Sequence, residues 1–361
     1  MDTVKVGIIG TSKFADMVHL PLLKSHKGAE LVAICGRNQD RADQIAKKYG
    51  FRETYGDYEQ MIQQCDLDAV VIATPEDLHY PMTMTALEKP LHVLCAKSLA
   101  LNATQAEEMV RKADASGVKH MVYFTNRWFP HHDYFGRLIR DAFIGRCLYF
   151  HFRMMYAASL RKGRGYTWRD DGKRSNGVLS DLGSHMIDLC HHWIDDIRSV
   201  SASLAVHAPI SDPRHPTVPA NDSAVLTLET ERGVHGIIHA SRVAAVSHMQ
   251  HYFSIHGETG ILELRYSHVT GGQITVLREG EMPTEVPLPR DFWNQPAQDG
   301  PFVKPLVQWL SKRSVFDRLF VDSILGDTEP LPSFRDGLRA QRVIDGALES
   351  ATTGSRIIVG E

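Results

Sequence analysis

Val4-Lys5-Val6-Gly7-Ile8-Ile9-Gly10-Thr11-Ser12-Lys13-Phe14-Ala15 is the stretch that decides how the rest of the chain is read. An apolar run carrying a single lysine ends on a glycine, and mixed apolar and polar residues then continue to His26. That order spells a strand, a tight turn and a helix. Gly10 and Ala15 fill the outer positions of a G-x-G-x-x-G/A fingerprint. There the first glycine permits the turn, the second lets the backbone approach a pyrophosphate, and the last small residue lets the helix pack on its strand. Ser12 stands at the middle position, where it is small and its hydroxyl can donate to phosphate. The free amides and dipole of the helix start favour an anion. A structural turn without phosphate has the same spelling, so the sequence on either side must decide.

Outward from this turn the pattern repeats. Glu30–Cys35 is a second apolar run, followed by helical spacing to Tyr49 and then Gly50. Ala69–Ala73 ends at Thr74-Pro75 before a helix from His79 to Glu88, and Leu91–Cys95 leads to Lys97. Asn102 and Gln105 have the spacing of a capping box, opening a helix that ends near Gly117 before the strand His120–Phe124. Strands with little alternation belong to a parallel sheet covered on both faces. Residues 1–125 are therefore expected to form a doubly wound α/β Rossmann domain.

Beyond Asn126 the texture changes. A helix around Asp133–Asp141 precedes β-forming runs at Cys147–Tyr156, Ser199–Val206, Ala224–Thr230, Val234–Ala240, His251–Gly257, Gly260–Leu264 and Gln273–Arg278. They predict an α+β domain with a large open, predominantly antiparallel sheet, spanning residues 126–345 and serving substrate binding and oligomerisation. Helical spacing returns at Phe302–Leu325 and Phe334–Ala351, and residues 346–361 read as a tail packing back on the first domain.

The 361 residues exceed what one core usually organises, and 43% hydrophobic with 23% charged residues is ordinary for globular protein. A net charge of -3 gives no basic footprint for nucleic acid or an anionic membrane. The start lacks a signal-peptide pattern and no window supplies a spanning helix, so a cytoplasmic location is expected. Cys35, Cys65, Cys95, Cys147 and Cys190 form no CxxC pair and read as reduced, mostly core thiols.

The nucleotide site is expected to include Gly10, Ser12, Lys13, Phe14 and Ala15, with Thr74, Pro75, His79, Lys97 and Asn126 around the nicotinamide. At the end of the second strand, Cys35-Gly36-Arg37-Asn38 has no carboxylate for the ribose hydroxyls of NAD before Asp40. Gly36 with Arg37, helped by Arg41, favours the 2'-phosphate of NADP, NAD being the alternative and a solvated Arg37 the bland reading. Lys97 lies at the carboxyl edge where open sheets bind ligands. Asp181 and His185 are four apart on one helical face. Oxidation of an alcohol needs a group to take its proton and a charge to polarise its oxygen, which a histidine and a lysine supply. Asp188 and His192 continue that face, but the spacing is not a diagnostic zinc string, and no metal is expected. Asp181 as a helix-start residue is the structural alternative, and Asp188 reads as a polar anchor. Arg153, Tyr156, Tyr166, Trp168, Arg169 and Asp170 flank the catalytic segment and are candidates for the substrate pocket.

Several motifs in order now carry a family resemblance. They are the Gly10–Ala15 turn, T-P-x-x-x-H at Thr74–His79, A-L-E-K-P at Ala86–Pro90, the Lys97 segment, N-R-W-F-P at Asn126–Pro130, D-x-G-x-H at Asp181–His185, G-E-T-G at Gly257–Gly260, and the closing D-G-L-R-A-Q-R-V-I-D-G-A. Over nearly its full length the chain resembles the glucose-fructose oxidoreductase, inositol dehydrogenase and rhizopine catabolism family. The resemblance implies hydride transfer at a hydroxyl or keto carbon of a sugar, inositol or related polyol. It also implies His185 as general acid/base, Lys97 polarising the reacting oxygen, Asp181 positioning substrate, and a homodimer or homotetramer built through the open sheet. An idle nucleotide-binding regulatory protein is the rival reading. The family's E-K-P reads Ala96-Lys97-Ser98 here, which removes a neighbouring carboxylate and a proline and points to altered substrate or cofactor pose.

Overall fold

The computed structural model describes residues 2–210, 218–246, 248–267, 269–292, 313 and 315–360. The chain divides into two compact units, Met1–Phe124 with Leu306–Leu338 and Thr125–Pro305 with Arg339–Glu361.

In the first unit, β1 (Val4–Ile9), β2 (Ala29–Cys35), β3 (Glu53–Tyr55), β4 (Ala69–Ile72), β5 (His92–Cys95) and β6 (His120–Val122) form one sheet in the order β3-β2-β1-β4-β5-β6. All its pairings are parallel. β4 is wholly buried and β1 nearly so, which is why neither alternates in sequence. The helices between them are α1 (Leu20–Lys24), α2 (Gln39–Tyr49), α3 (Tyr58–Gln64), α4 (His79–Glu88) and α5 (Ala103–Ser116). Asn38, Asp57 and Asn102 accept backbone N–H bonds at the starts of α2, α3 and α5, satisfying amides that a helix leaves unpaired. Gln105 also reaches back to the Leu101 amide at 3.3 Å. The strand order reverses between β1 and β4, and an open sheet binds ligands outside the carboxyl ends of its strands at such a point.

The first unit also takes in a late segment, which the expected division at residue 125 assigned to the second domain. Helix α8 (Asp317–Leu325) belongs to the first unit. Asp317 is fully buried, and a carboxylate so placed needs donors. It finds the His19 Nδ1 at 2.7 Å and the Tyr123 hydroxyl at 3.0 Å, while Asp322 meets the His26 Nε2 at 2.7 Å. The Val122 amide donates to the Pro332 carbonyl at 2.9 Å. Of the helix expected at Phe302–Leu325, residues 302–312 and 314 lie outside the described residues.

The second unit is built on a nine-stranded open sheet. Its strands are β7 (Cys147–Met155), β8 (Ile197–Ala205), β9 (Ser223–Thr230), β10 (His235–Ser241), β11 (Gln250–Gly257), β12 (Gly260–Ser267), β13 (Gly271–Leu277), β14 (Thr284–Glu285) and β15 (Ile357–Ile358), in the order β14-β13-β12-β11-β7-β10-β9-β8-β15. β7 and β10 are parallel and the remaining pairs antiparallel. One face buries Phe150, Phe152, Phe253, Leu262 and Leu264. Against it pack α6 (Pro130–Arg140) and α7 (Ser184–Trp193), with the Trp193 ring 5.4 Å from Phe135 and from Phe253 and 5.7 Å from Phe152. The long helix α9 (Phe334–Thr353) gives its first turn to the first unit and the rest to the second. The tail expected to return to the first domain instead pairs Ile357 with Val200 and Ile358 with Ser199, covering the β8 edge. Among the described residues no helix is long and apolar enough to cross a membrane, and all five cysteines are free thiols.

Candidate active site

At the end of β1, Gly10 has φ +124°, and a Cβ there would lie 2.4 Å from the Ala73 carbonyl oxygen. Only glycine fits both demands. Its amide donates to the Cys35 carbonyl at 2.9 Å, fixing the turn to β2. The Ser12 hydroxyl oxygen accepts the Ala15 amide at 3.1 Å, so the residue that replaces the middle glycine caps the helix start. Ser12, Lys13 and Phe14 are exposed and Ala15 is fully buried. The helix opens as a π turn, Ala15–His19, before α1; such turns are frequent at functional sites. An exposed amide-bearing turn at the switch point, with a buried small residue where helix meets strand, fits a dinucleotide pyrophosphate.

At the end of β2 the two arginines that were expected to act together differ in their partners. Arg41 sends its Nε to the Thr11 carbonyl and so braces the turn itself. Arg37 is exposed and makes no hydrogen bond or ion pair among the described residues. Gly36 is buried, and a Cβ there would meet the Thr11 methyl at 2.5 Å. Close packing against Thr11 calls for a glycine there.

Lys97 follows β5 and is half-buried; the Lys97–Ser98 peptide is cis. His79 was expected beside the nicotinamide, yet it is 1% exposed and both ring nitrogens face main chain, Nδ1 at 2.6 Å from the Ser98 carbonyl and Nε2 at 3.0 Å from that of Thr74. Burial lowers its pKa, with the Lys97 charge adding to the effect and the two carbonyls opposing it. Its place is therefore that of a clasp between the loops after β4 and β5. The Thr74 hydroxyl donates to the Met82 sulfur at 3.4 Å.

The second unit assembles another group of expected residues around Asp181. Asp181 lies in a π turn, Leu179–Gly183, that runs directly into α7, whose first turn carries His185. The Tyr156 hydroxyl donates to one Asp181 oxygen at 2.8 Å, and Arg169 Nε approaches the other at 3.4 Å. The Arg169 guanidinium lies 4.2 Å from the Trp168 ring centroid, a cation–π contact that orients it. Burial and the Asp181 charge raise the Tyr156 pKa, so its proton stays on the hydroxyl and is donated to the carboxylate. His185 is buried at 8% exposure. The group thus presents a fixed carboxylate at the start of the helix that bears an imidazole.

Other expected residues lie elsewhere. Arg153 follows the strand alternation of β7: Phe150, Phe152 and Met154 face the helices, so Arg153 falls on the opposite, open face. It sits there over the Tyr252 ring at 5.1 Å. Asn126 is buried and its amide donates to the Met154 sulfur at 3.6 Å, a core contact of the second unit. Asp170 is held by Arg164 at 2.8 and 3.0 Å and completes a capping box with Thr167. Tyr166 donates to Asp171 at 3.3 Å. Asp188 is the polar anchor expected, gripped by both Nε and Nη2 of buried Arg127.

Sequence reasoning passed over Arg127 and Arg242. Arg127 lies inside the N-R-W-F-P motif, which was its signal. Arg242, just beyond β10, donates to the Arg169 carbonyl at 3.1 Å and had no local signal.

Two family models match the chain: an oxidoreductase family with an NAD-binding Rossmann fold over residues 4–124, and the C-terminal alpha/beta domain of that oxidoreductase family over residues 137–359. Glucose-6-phosphate 3-dehydrogenase of Bacillus subtilis is 26% identical over 349 residues, 94% of each chain. The NADP(+)-dependent scyllo-inositol 2-dehydrogenase of the same organism is 23% identical, covering 97% of this chain and 94% of its own. A levoglucosan dehydrogenase solved with NADH and levoglucosan has the same fold, with TM-score 0.88 at 22% identity over 99% of this chain and 100% of that one.

Proposed function

This chain belongs to the glucose-fructose oxidoreductase, inositol dehydrogenase and rhizopine catabolism family of NAD(P)-dependent oxidoreductases, and from that premise we propose that it moves hydride between NADP and a hydroxyl or keto carbon of a sugar, inositol or related polyol. The single observation that carries this reading is the Asp181 carboxylate, fixed by Tyr156 and Arg169 one helical turn before His185.

The dinucleotide, when bound, supplies the hydride acceptor or donor. Amides of the Gly10–Ala15 turn hold its pyrophosphate, and Arg37 takes the 2'-phosphate that distinguishes NADP. His185 receives the proton of the reacting hydroxyl, and the Lys97 ammonium stabilises the negative charge that develops on its oxygen. Asp181, held in place by Tyr156 and Arg169, accepts a neighbouring substrate hydroxyl and sets the ring's orientation.

Titration with NADP(H) and NAD(H), followed by turnover on a panel of aldoses, ketoses and inositols, tests the reading. Lys97→Met and His185→Asn should each lower kcat by roughly 100-fold or more and leave dinucleotide affinity within about two-fold. Arg37→Ala should weaken NADPH binding about ten-fold and spare NADH, since one charge-assisted phosphate contact is lost. Tight NADPH binding without turnover on any of these substrates would assign the chain to the regulatory class, and a preference for NADH would remove the role of Arg37.

A further inference from the structure

We propose that Glu76 is the carboxylate that pairs with the Lys97 ammonium, standing in for the acid that is absent at Ala96. The inference rests on the catalytic reading of Lys97 above and names the residue that positions it.

Thr74-Pro75-Glu76-Asp77 leaves the sheet at the end of β4, and Ala96-Lys97-Ser98 leaves it at the end of the neighbouring β5. The two exits are aligned: Ile72 is in register with Cys95, and the Ala96 amide donates to the Ile72 carbonyl at 2.9 Å. His79 then ties the loops together through the Thr74 and Ser98 carbonyls. Glu76 is only 3% exposed. A carboxyl group that deep is rare without a cation or strong donors. Within the two loops the cationic candidates are His79 and Lys97. Both ring nitrogens of His79 are taken up by the two carbonyls, which leaves no N–H of that ring for Glu76. Lys97 is therefore the cation left for Glu76. Among the described residues of these two loops, the other titratable groups are Glu76, half-buried Asp77 and His79. A carboxylate fixed in the strand-end loop limits the rotamers of the ammonium, which polarising a substrate oxygen requires.

The test reads Lys97 directly. The rate of acetic anhydride labelling of the Lys97 amine, followed by mass spectrometry as a function of pH, gives its titration midpoint without any substrate. In Glu76→Gln the midpoint should fall by about one unit or more, since an opposite charge nearby raises a lysine. Asp77→Asn should leave it in place, and Ala96→Glu added to Glu76→Gln should restore it. Turnover should fall about ten-fold or more in Glu76→Gln, with the dinucleotide Kd within about two-fold, and recover in the same double variant. Stability supplies an independent reading: removing one member of a buried pair costs more than removing both, so Glu76→Gln with Lys97→Met should melt no lower than Glu76→Gln alone.

An unchanged labelling midpoint in Glu76→Gln, a shift caused by Asp77→Asn in its place, or additive losses of stability would overturn the pairing. A labelling shift in a protein that turns over none of the panel substrates would keep the pair and sink the catalytic role of Lys97. Turnover with no labelling shift would do the reverse.

Discussion

Tyr156 reaches Asp181 with a single hydroxyl, and little else about its ring depends on that atom. Tyr156→Phe should therefore keep the fold, cost about 1 kcal/mol of stability, and raise the substrate KM or lower kcat several-fold without changing dinucleotide affinity; equal losses in cofactor and substrate binding would argue for a general structural role. Arg127 and Asp188 form the opposite case, a buried bidentate pair in which removing either partner takes the matching charge from the other. Asp188→Ala should lower unfolding free energy by about 3–5 kcal/mol in a denaturant titration. His131, packed against Gly272, is pushed down to about 4 by burial. An ordinary histidine of the unfolded chain titrates near 6.5. Between those values the unfolded chain binds the proton first, so this residue's share of stability is lost as pH falls from about 6.5 towards about 4. His131→Gln should flatten that part of the stability profile. That Asp181 and His185 share one helical segment was legible because a motif surrounds them. Arg153 was misplaced because proximity in sequence ignores strand parity: its face is set by Phe152 and Met154 on either side, and both point at the helices.

Helices announce their ends more clearly than their pitch. Asn102 caps α5 through the Gln105 amide at 2.9 Å, as the spacing predicts, and Asn102→Ala should cost about 1 kcal/mol by thermal melting. The π turns at Ala15–His19 and Leu179–Gly183 gave no such notice, because one widened turn leaves the apolar spacing of a short helix almost unchanged. The strands of the second sheet were legible from their β-branched and aromatic runs, whereas the parallel pairing of β7 with β10 depends on the path of the intervening chain. Helix α8 was read as helical, but its partners were not: the bonds from Asp317 to His19 and Tyr123 join positions 298 and 194 residues apart. Asp317→Ala should destabilise the first unit by about 3 kcal/mol, since two buried donors lose their acceptor. Hydrogen exchange localised to β1, α1 and β6 checks this.

At the scale of the whole chain, the open face of the nine-stranded sheet displays Tyr149, His151, Arg153, His239, Tyr252 and His256. If the oligomer that the family resemblance implies is built through that face, Arg153→Glu should shift sedimentation towards the monomer and leave the substrate KM unchanged. A dimer that survives the substitution, or a raised KM in the monomer, would count against it. The two-domain character was visible in the change of texture near Asn126, but the membership of residues 315–338 was not, because it is decided by buried pairs rather than by composition. That arrangement bears on synthesis. A ribosome releases the dinucleotide-binding sheet early, yet Asp317 and Asp322, which complete its first helix, emerge only after nearly the entire second sheet has been made. The nascent N-terminal half must wait, incompletely covered, for its last piece. No single cut in the gene yields it whole, so the two halves are exchangeable between relatives only as a pair of insertions, never as one cassette.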